Sequence, residues 1–585
     1  MARDTFRPTA ESAPLDSIPV SFPTTNLPIP QSTDINSIGK ELVDKLAKVF
    51  EGKDDDLNNL FLDGAVWRDQ LAFTASIRSI HGIPNISKAV QALAPHAKPH
   101  SFRLQDAPGK IVEFSEKTHW LDTGFVFEIE EPKASCMGSF RAVRVAEDRW
   151  KLWTVYTVIF ALDGVETLDE QKMKEKPIAN GAPDGNFPEQ TDILVIGAGQ
   201  SGLCLSALLK SFQIPHVVVD GNQKCGDSWG TRYEACKLHT PKKIGHMPFL
   251  RYPENYPVFI TAQQLSDHYE SYRKSLGLPV YMQSRWEEGK WDEDRKEWTN
   301  KIKRKDGVKT IVAKHIVMCT GVGNTDPYEP EIPEREKFKG DIVHSVKYWN
   351  AEPWKGKRGL IIGAANSAHD IAMDMEAIGK HYEHYNDFTP IEISDQMSES
   401  LPPSIGRILL NGWIKFSAEQ NKEFYDSMKA KGMMIAEEKD FWNCIYVKHA
   451  GHLIDCGMAD MVLDGRVTIR SKKQIVRYTD KGVEYSDGTV DEADVIVMAT
   501  GFQDNDQRET ASKYIGIEEA NKMEDVQGIY SEAEQKGVAV QSGHPGFWFL
   551  QTQQPSSRHL SKLVALQLKL SLDGKLKSPY KGPAV

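Results

Sequence analysis

The chain has 585 residues, too many for one ordinary domain, so about two to four are expected. Hydrophobic residues at 40% and charged residues at 26% describe a globular protein with ample core material, and a net charge of −11 with scattered Lys and Arg argues against nucleic acid or an acidic membrane surface as partner. Seven cysteines, an odd number with no CxxC pair, give no support to a disulfide framework or a zinc site, so no metal is expected and a reducing compartment fits best.

Residues 1–32 are rich in Pro, Ser and Thr and read as a flexible arm. They contain no apolar signal-peptide core, and no stretch reaches the ~18 apolar residues of a membrane span, so a cytoplasmic location is the default. From Ile35 the text becomes periodic. Ile35, Ile38, Leu42, Leu46 and Phe50 predict a helix, whereas Phe125, Phe127 and Ile129 alternate with Val126, Glu128 and Glu130 as in a strand, and "RWKLWTVYTVIFALDG" predicts another. An α+β domain over residues 33–163 follows. Its stretch "FLDGAVWRDQLAFTASIRSIHGIPNISKAV" resembles the nuclear transport factor 2-like (SnoaL-like) cone. That resemblance implies a curved sheet, a packing or oligomerisation role with a homodimer through this domain, or a cavity lined by Trp67, Arg68 and Asp69. Residues 164–189, polar and interrupted by Gly, Pro and Asn, read as a linker.

"TDILVIGAGQSGLCLSALLKSFQIPHVVVD" carries a complete dinucleotide fingerprint: strand, Gly197, Gly199 and Gly202 at G-x-G-x-x-G spacing, helix, strand and a terminal Asp220. Gly197 permits the tight turn, Gly199 lets backbone approach a pyrophosphate, and Gly202 lets helix and strand pack closely. Asp220, roughly 20 residues on, is placed to accept ribose hydroxyls. A second unit begins at "GLIIGAANSAHDIA", where Gly363 keeps the first position while Ala365 and Ala368 replace the other two glycines. Two such units suggest a flavoprotein in which one dinucleotide is FAD and the other a hydride donor. A thiol-disulfide reductase shares that plan, but Cys225 and Cys236 are poorly spaced as its redox pair.

Between the units, "FKGDIVHSVKYW" places Phe338, Gly340, His344 and Tyr348 at the F-x-G-x-x-x-H-x-x-x-[Y/F/W] spacing. This resembles the signature of flavin-dependent monooxygenases, although Trp349 departs both from the Lys of N/S-oxygenating members and from the Pro or Asp of Baeyer-Villiger members. "KCGDSWGTRYEACKLHTPKKIGHMPF", "HLIDCGMADMVLDGRVTI", "DVIVMATGF" and "RHLSKLVALQLK" are similar to flavin-containing monooxygenases, nearest in character to the plant YUCCA-type branch. The resemblance spans roughly residues 190–572. It implies two Rossmann-like α/β domains, FAD over 190–335 and 491–585 and NAD(P) inserted over 336–490. The chain would cross between them at the glycines of "VMCTG" (Gly321) and "VMATG" (Gly501), and a helix around Ser561 would point its N-terminus at the flavin.

The chemistry so implied is NAD(P)H-driven monooxygenation through a C4a-(hydro)peroxyflavin, with O2 and a small or medium organic substrate as partners. N/S-oxygenation or 2-oxo acid decarboxylation is favoured by "LHTPK", Baeyer-Villiger oxidation of a ketone or aldehyde is the alternative, and a flavin-loaded binding or assembly protein with an uncoupled oxygenase site is the alternative of another class. Trp229 would cover the flavin. His239, Thr240 and Asn366 are the catalytic candidates, with Lys242 beside them; His239 reads alternatively as a partnered loop histidine and Asn366 as a helix cap. Gly363, Ala365, Ser367 and Ala368 would bind the nicotinamide dinucleotide. Ala368 still lets helix and strand pack, while the Ala365 methyl pushes the pyrophosphate outward and weakens binding. Asp387 stands at nearly the same offset from Gly363 as Asp220 from Gly197, a position where NADPH-using relatives carry a cation. The family therefore implies NADPH and this residue implies NADH.

Overall fold

The computed structural model describes residues 6–18, 22–23, 27–106, 109–115, 118–175, 187–321, 327–374, 395, 398–435, 440–447, 455, 457–502, 506–526 and 528–583. The predicted helix spans Ile35–Phe50, opened by Asp34, whose carboxylate accepts from the Ser37 amide at 3.1 Å. With the helix Ile83–Ala97 it packs on a seven-stranded sheet. The sheet is antiparallel except that Phe61–Gln70 and Arg149–Leu162 run parallel, joined by a long connection that holds the helix Ile83–Ala97 and the intervening strands. Its interior is filled with rings. Phe50 lies 4.9 Å from Trp67 and 5.2 Å from Phe73, and Phe102 stacks on Phe127 at 4.9 Å.

The other face of this sheet carries Val66, Trp120, Val143 and Trp153, and it is covered by Ile405 and Leu409 from the helix Pro403–Gln420 and by Leu401 just before it. The expected arm is not loose over its described part. Arg7 pairs with Asp525 at 2.9 Å, Thr9 donates to Asp506 at 2.6 Å, and Lys536 donates to the carbonyls of Ala10 and Glu11. The start of the expected linker is docked too: Leu168 and Met173 are buried, and Leu168 exchanges hydrogen bonds with Ser211.

The first nucleotide unit is a sheet whose parallel strands Val280–Tyr281, His216–Val219, Gln190–Ile196, Gly307–Met318 and Phe547–Phe549 bury apolar side chains on both faces. Helix Gln200–Ser211 connects the second and third of these in space, and helix Gln554–Leu572 packs against it. The second unit is a parallel sheet of Asp341–His344, Val495–Met498 and Gly359–Ile362, in that order, with helix Asn366–Asp374 after the turn and an antiparallel sheet over 475–492. The boundary expected at 490/491 is therefore misplaced, because Val495–Met498 is the middle strand of the second unit. Among the described residues no helix is long and apolar enough to cross a membrane, and no cluster of His, Cys, Asp or Glu suits a metal ion.

Candidate active site

Gly197 adopts φ +104°, and a Cβ built on it would lie 2.6 Å from the Cys319 carbonyl oxygen. A Cβ on Gly202 would lie 1.9 Å from the Gly197 carbonyl oxygen, so helix and strand touch through these two glycines. At Gly199 a Cβ would meet nothing within 4 Å, and no side chain caps the helix it opens. The turn thus presents open space and uncapped amides, which fits a dinucleotide pyrophosphate. Asp220 braces it: one carboxylate oxygen accepts from the Ala198 amide and the other from the Asn222 amide, each at 2.8 Å.

The second turn repeats the construction. Gly363 has φ +135°, and its Cβ would lie 2.2 Å from the Ala499 carbonyl oxygen. Cys319 and Ala499 are equivalent positions of "VMCTG" and "VMATG", and the following glycines, Gly321 and Gly501, have φ +97° and +80°. Ala365 is half-buried, its carbonyl accepting from the Ala368 and His369 amides, and Ala368 is buried. The turn opens on a cleft of ≈2890 Å³ between the strand Gly359–Ile362 and the helices Pro403–Gln420 and Lys422–Ala430. Asp387 lies outside the described residues.

The signature residues frame this second unit. Phe338 packs with Tyr478 and Val483, and Gly340 leaves room for the Asp494 carbonyl oxygen, 2.3 Å from where a Cβ would stand. His344 ends its strand, buried, with Nδ1 accepting from the Val346 amide at 3.3 Å; burial lowers its pKa. Tyr348 stacks on Trp354 and joins Ile371, Val495 and Tyr233 in a core that spans both units. Trp349 is exposed, and its carbonyl accepts from the Glu234 amide at 2.7 Å.

His239 and the second turn's helix are brought together. His239 Nε2 lies 2.9 Å from Asp370 Oδ1, and the Tyr233 hydroxyl donates to Asp370 Oδ2 at 3.0 Å. All three side chains are buried, Asp370 to 1% exposure. Ser367 hydrogen-bonds Tyr233, and Asn366 is the first residue of the helix. Thr240 is half-buried beside His239. Two candidates move away from the site. Lys242 donates to the carbonyls of Glu254 (2.7 Å) and Tyr256 (2.6 Å) and clamps its own loop. Ser561 sits two turns inside a helix that starts at Gln554, so the residues at its N-terminus are Gln553 and Gln554. There Thr552 hydrogen-bonds Ser201 (2.9 Å) and Ser557 (2.6 Å), tying that end to the first fingerprint helix. Trp229 is half-buried under the Arg232 guanidinium at 5.5 Å.

Asp370 and Tyr233 were not legible as site residues, although one signal existed: Asp370 is a charged residue among the buried Ala368, Ile371 and Ala372. The described cysteines are unbonded and buried, and burial pushes the Cys225 thiol up to about 12 and Cys236 up to about 11. In the N-terminal unit Trp67 and Asp69 are fully buried. Trp67 belongs to the ring core, and Asp69 accepts from Thr74 and Thr157. Arg68 points the other way and pairs with Glu534.

Residues 194–444 match the family described as Pyridine nucleotide-disulphide oxidoreductase. The indole-3-pyruvate monooxygenase YUCCA1 of Oryza sativa subsp. japonica is 25% identical over 322 residues, 53% of this chain and 77% of that protein. A probable indole-3-pyruvate monooxygenase of Arabidopsis thaliana, YUCCA8, is 24% identical over 409 residues, 63% of this chain and 92% of the relative. Among solved structures, a flavin-containing monooxygenase from Stenotrophomonas maltophilia aligns with TM-score 0.45 and 16% identity over 66% of this chain and 100% of its own. Cyclohexanone monooxygenase from Rhodococcus sp. Phi1 bound to NADP+ aligns with TM-score 0.45 and 16% identity, over 66% and 85%. Two dinucleotide turns built on matching glycine contacts define a two-nucleotide flavoprotein. The family match covers residues 194–444, and the curated relatives that align over a wider span are monooxygenases.

Proposed function

We propose that the protein is an FAD-dependent, NADPH-driven monooxygenase that places one atom of O2 into a small or medium organic substrate. The observation that carries this reading is the pairing of two equivalent nucleotide turns, Gly197 on Cys319 and Gly363 on Ala499, joined through His239 and Asp370. A bound FAD would supply the redox chemistry, hydride acceptance from NADPH and activation of O2. The chain's own part is then to hold, align and exclude water. Gly197, Gly199, Gly202 and the Asp220-braced turn would hold FAD, with Gln553, Gln554 and Trp229 around it. Gly363, Ala365, Ser367 and Ala368 would hold the nicotinamide dinucleotide. Asn366, His239 and Thr240 form the proposed catalytic set.

The substrate reading is N/S-oxygenation or decarboxylation of a 2-oxo acid, and the relatives named as indole-3-pyruvate monooxygenases favour the latter. The six described cysteines, all unbonded, favour the cytosol. The N-terminal unit receives an intramolecular packing role, since the sheet face open to a dimer partner is filled by Ile405 and its neighbours. The units proposed are 33–163, the FAD unit 187–335 with 499–585, and the NAD(P) unit 336–498.

The test is oxygen-coupled NADPH and NADH oxidation by FAD-loaded enzyme with 2-oxo acids, amines, sulfides and ketones. Product formed in step with NADPH supports the reading, and lactone or ester from a ketone would instead select the Baeyer-Villiger reading. H2O2 as the sole product with every substrate would favour a flavin-loaded binding protein.

A further inference from the structure

The main chain on both sides of His239 is fixed within the first nucleotide unit. The Leu238 amide donates to the Ile260 carbonyl at 2.8 Å, and the Lys242 amide donates to that of Val258 at 2.7 Å. Its imidazole, by contrast, is held from the second unit. Asp370 lies one turn into the helix that the Gly363 turn opens, and both of its carboxylate oxygens are used by donors of the first unit, His239 and Tyr233. A carboxylate accepts only, so His239 Nε2 carries the proton in this pair. Burying a carboxylate is costly unless its hydrogen bonds are made, and here both bonds cross the boundary between the nucleotide units. Apolar packing alone would have been served by a leucine or methionine beside Ile371 and Ala372.

We propose that Asp370 is a positioning residue for the reaction: it sets the ring plane of His239 and ties it to the helix that carries the second nucleotide turn. Movement of that helix is thereby transmitted to a side chain of the flavin unit. The inference rests on the functional reading above, in which His239 belongs to the catalytic set.

The experiment uses FAD-loaded full-length enzyme in wild-type form and as Asp370→Ala, Asp370→Asn, His239→Ala and the Ala/Ala double variant. Anaerobic flavin reduction by NADPH is followed by stopped flow, NADP+ affinity by perturbation of the flavin absorbance, and folding by the thermal midpoint. Asp370→Ala is expected to slow flavin reduction about tenfold while NADP+ affinity stays within about threefold. His239→Ala should do the same, and the double variant should be no slower than either single one, since the two act as one unit. Asp370→Asn keeps an oxygen for Nε2–H and an amide for the Tyr233 hydroxyl oxygen, so it should recover the rate to within about threefold. Additive losses, an unchanged rate in Asp370→Ala, or an affinity loss as large as the rate loss would overturn the assignment. A wild-type flavin that neither NADPH nor NADH reduces defeats the functional reading itself and this assignment with it; a reducible wild type with an unaffected Asp370→Ala defeats the assignment alone.

Discussion

Gly363 stands so close to Ala499 that a Cβ built on the glycine would lie 2.2 Å from the alanine's carbonyl oxygen. Its φ of +135° also disfavours any L side chain. Gly363→Ala should therefore lower nicotinamide dinucleotide affinity by at least about tenfold, measured by titration, with FAD content retained. Ala365→Gly should act in the opposite sense, tightening that affinity by roughly fivefold, because it removes the methyl from the second fingerprint position.

Arg68 donates from Nε and a terminal nitrogen to the two oxygens of Glu534 at 2.8 and 3.0 Å, and lies 3.5 Å from a carboxylate oxygen of Glu399. The Arg68 and Glu534 side chains are less than a tenth exposed. Arg68→Met strands both carboxylates and should cost about 3–5 kcal/mol in denaturant unfolding. Arg68→Met with Glu534→Leu should recover a large part of that loss.

His216 donates from Nδ1 to the Ile214 carbonyl at 2.9 Å, so Nε2 accepts from the Ser206 hydroxyl at 2.8 Å and the ring is neutral. Burial lowers its pKa to about 4, and does the same at His315 and His268. The folded state then binds fewer protons than the unfolded one below pH ~6.5, so this stability is complete above that pH and is lost as pH falls towards 4. Asp69, Glu399 and Glu532, whose pKa values burial raises, act in the opposite sense. The His216 contribution is isolated by comparing wild type with His216→Gln in melts from pH 7.5 to 4.5. Their stability difference should shift by at most ~3 kcal/mol across that range, in favour of the variant at the acid end.

Asn366→Ala and His239→Ala should each raise the H2O2 released per NADPH oxidised, at the expense of product. Parallel peroxide and product assays read this directly. Unchanged coupling in both variants would remove these residues from the catalytic set.

Removal of residues 1–13 takes away the Arg7–Asp525 pair, the Thr9–Asp506 bond and the Phe6 ring 4.9 Å from the Arg508 guanidinium. Arg508 is fully buried and keeps Asp506 and Asp525 as partners. The truncated enzyme should melt about 3–6 °C lower, read by fluorescence against the full chain. A melt at the wild-type temperature would mean that the docked arm contributes nothing to stability.

What could be read in advance was local. The first fingerprint needs only contiguous residues, and strand, glycines, helix and Asp220 stand where spacing put them. The helix ending at Phe50 and the alternating strand through Phe125 were legible for the same reason. The misplaced start of the C-terminal helix was avoidable, because Pro555 follows Gln554 at a first-turn position where proline is favoured. The rest depends on distance along the chain. Asp370 meets His239 across 131 residues, and Arg68 meets Glu534 across 466. Periodicity carries no information about such partners, and it equally could not say that Val495–Met498 would slot between two strands made more than a hundred residues earlier.

That late middle strand has a consequence for how the protein is made. The second unit's sheet lacks its centre until residue 498 has left the ribosome, and the first unit's sheet lacks the strand Phe547–Phe549 until later still. Only the N-terminal unit, whose seven strands end at Leu162, holds all its sheet partners early in synthesis. It stands finished while both nucleotide units wait for the end of the chain, and its outer face is then ready to receive Ile405 as that residue emerges. Expression of an isolated 336–490 fragment should give an open sheet with two unpaired edges, a species prone to aggregate.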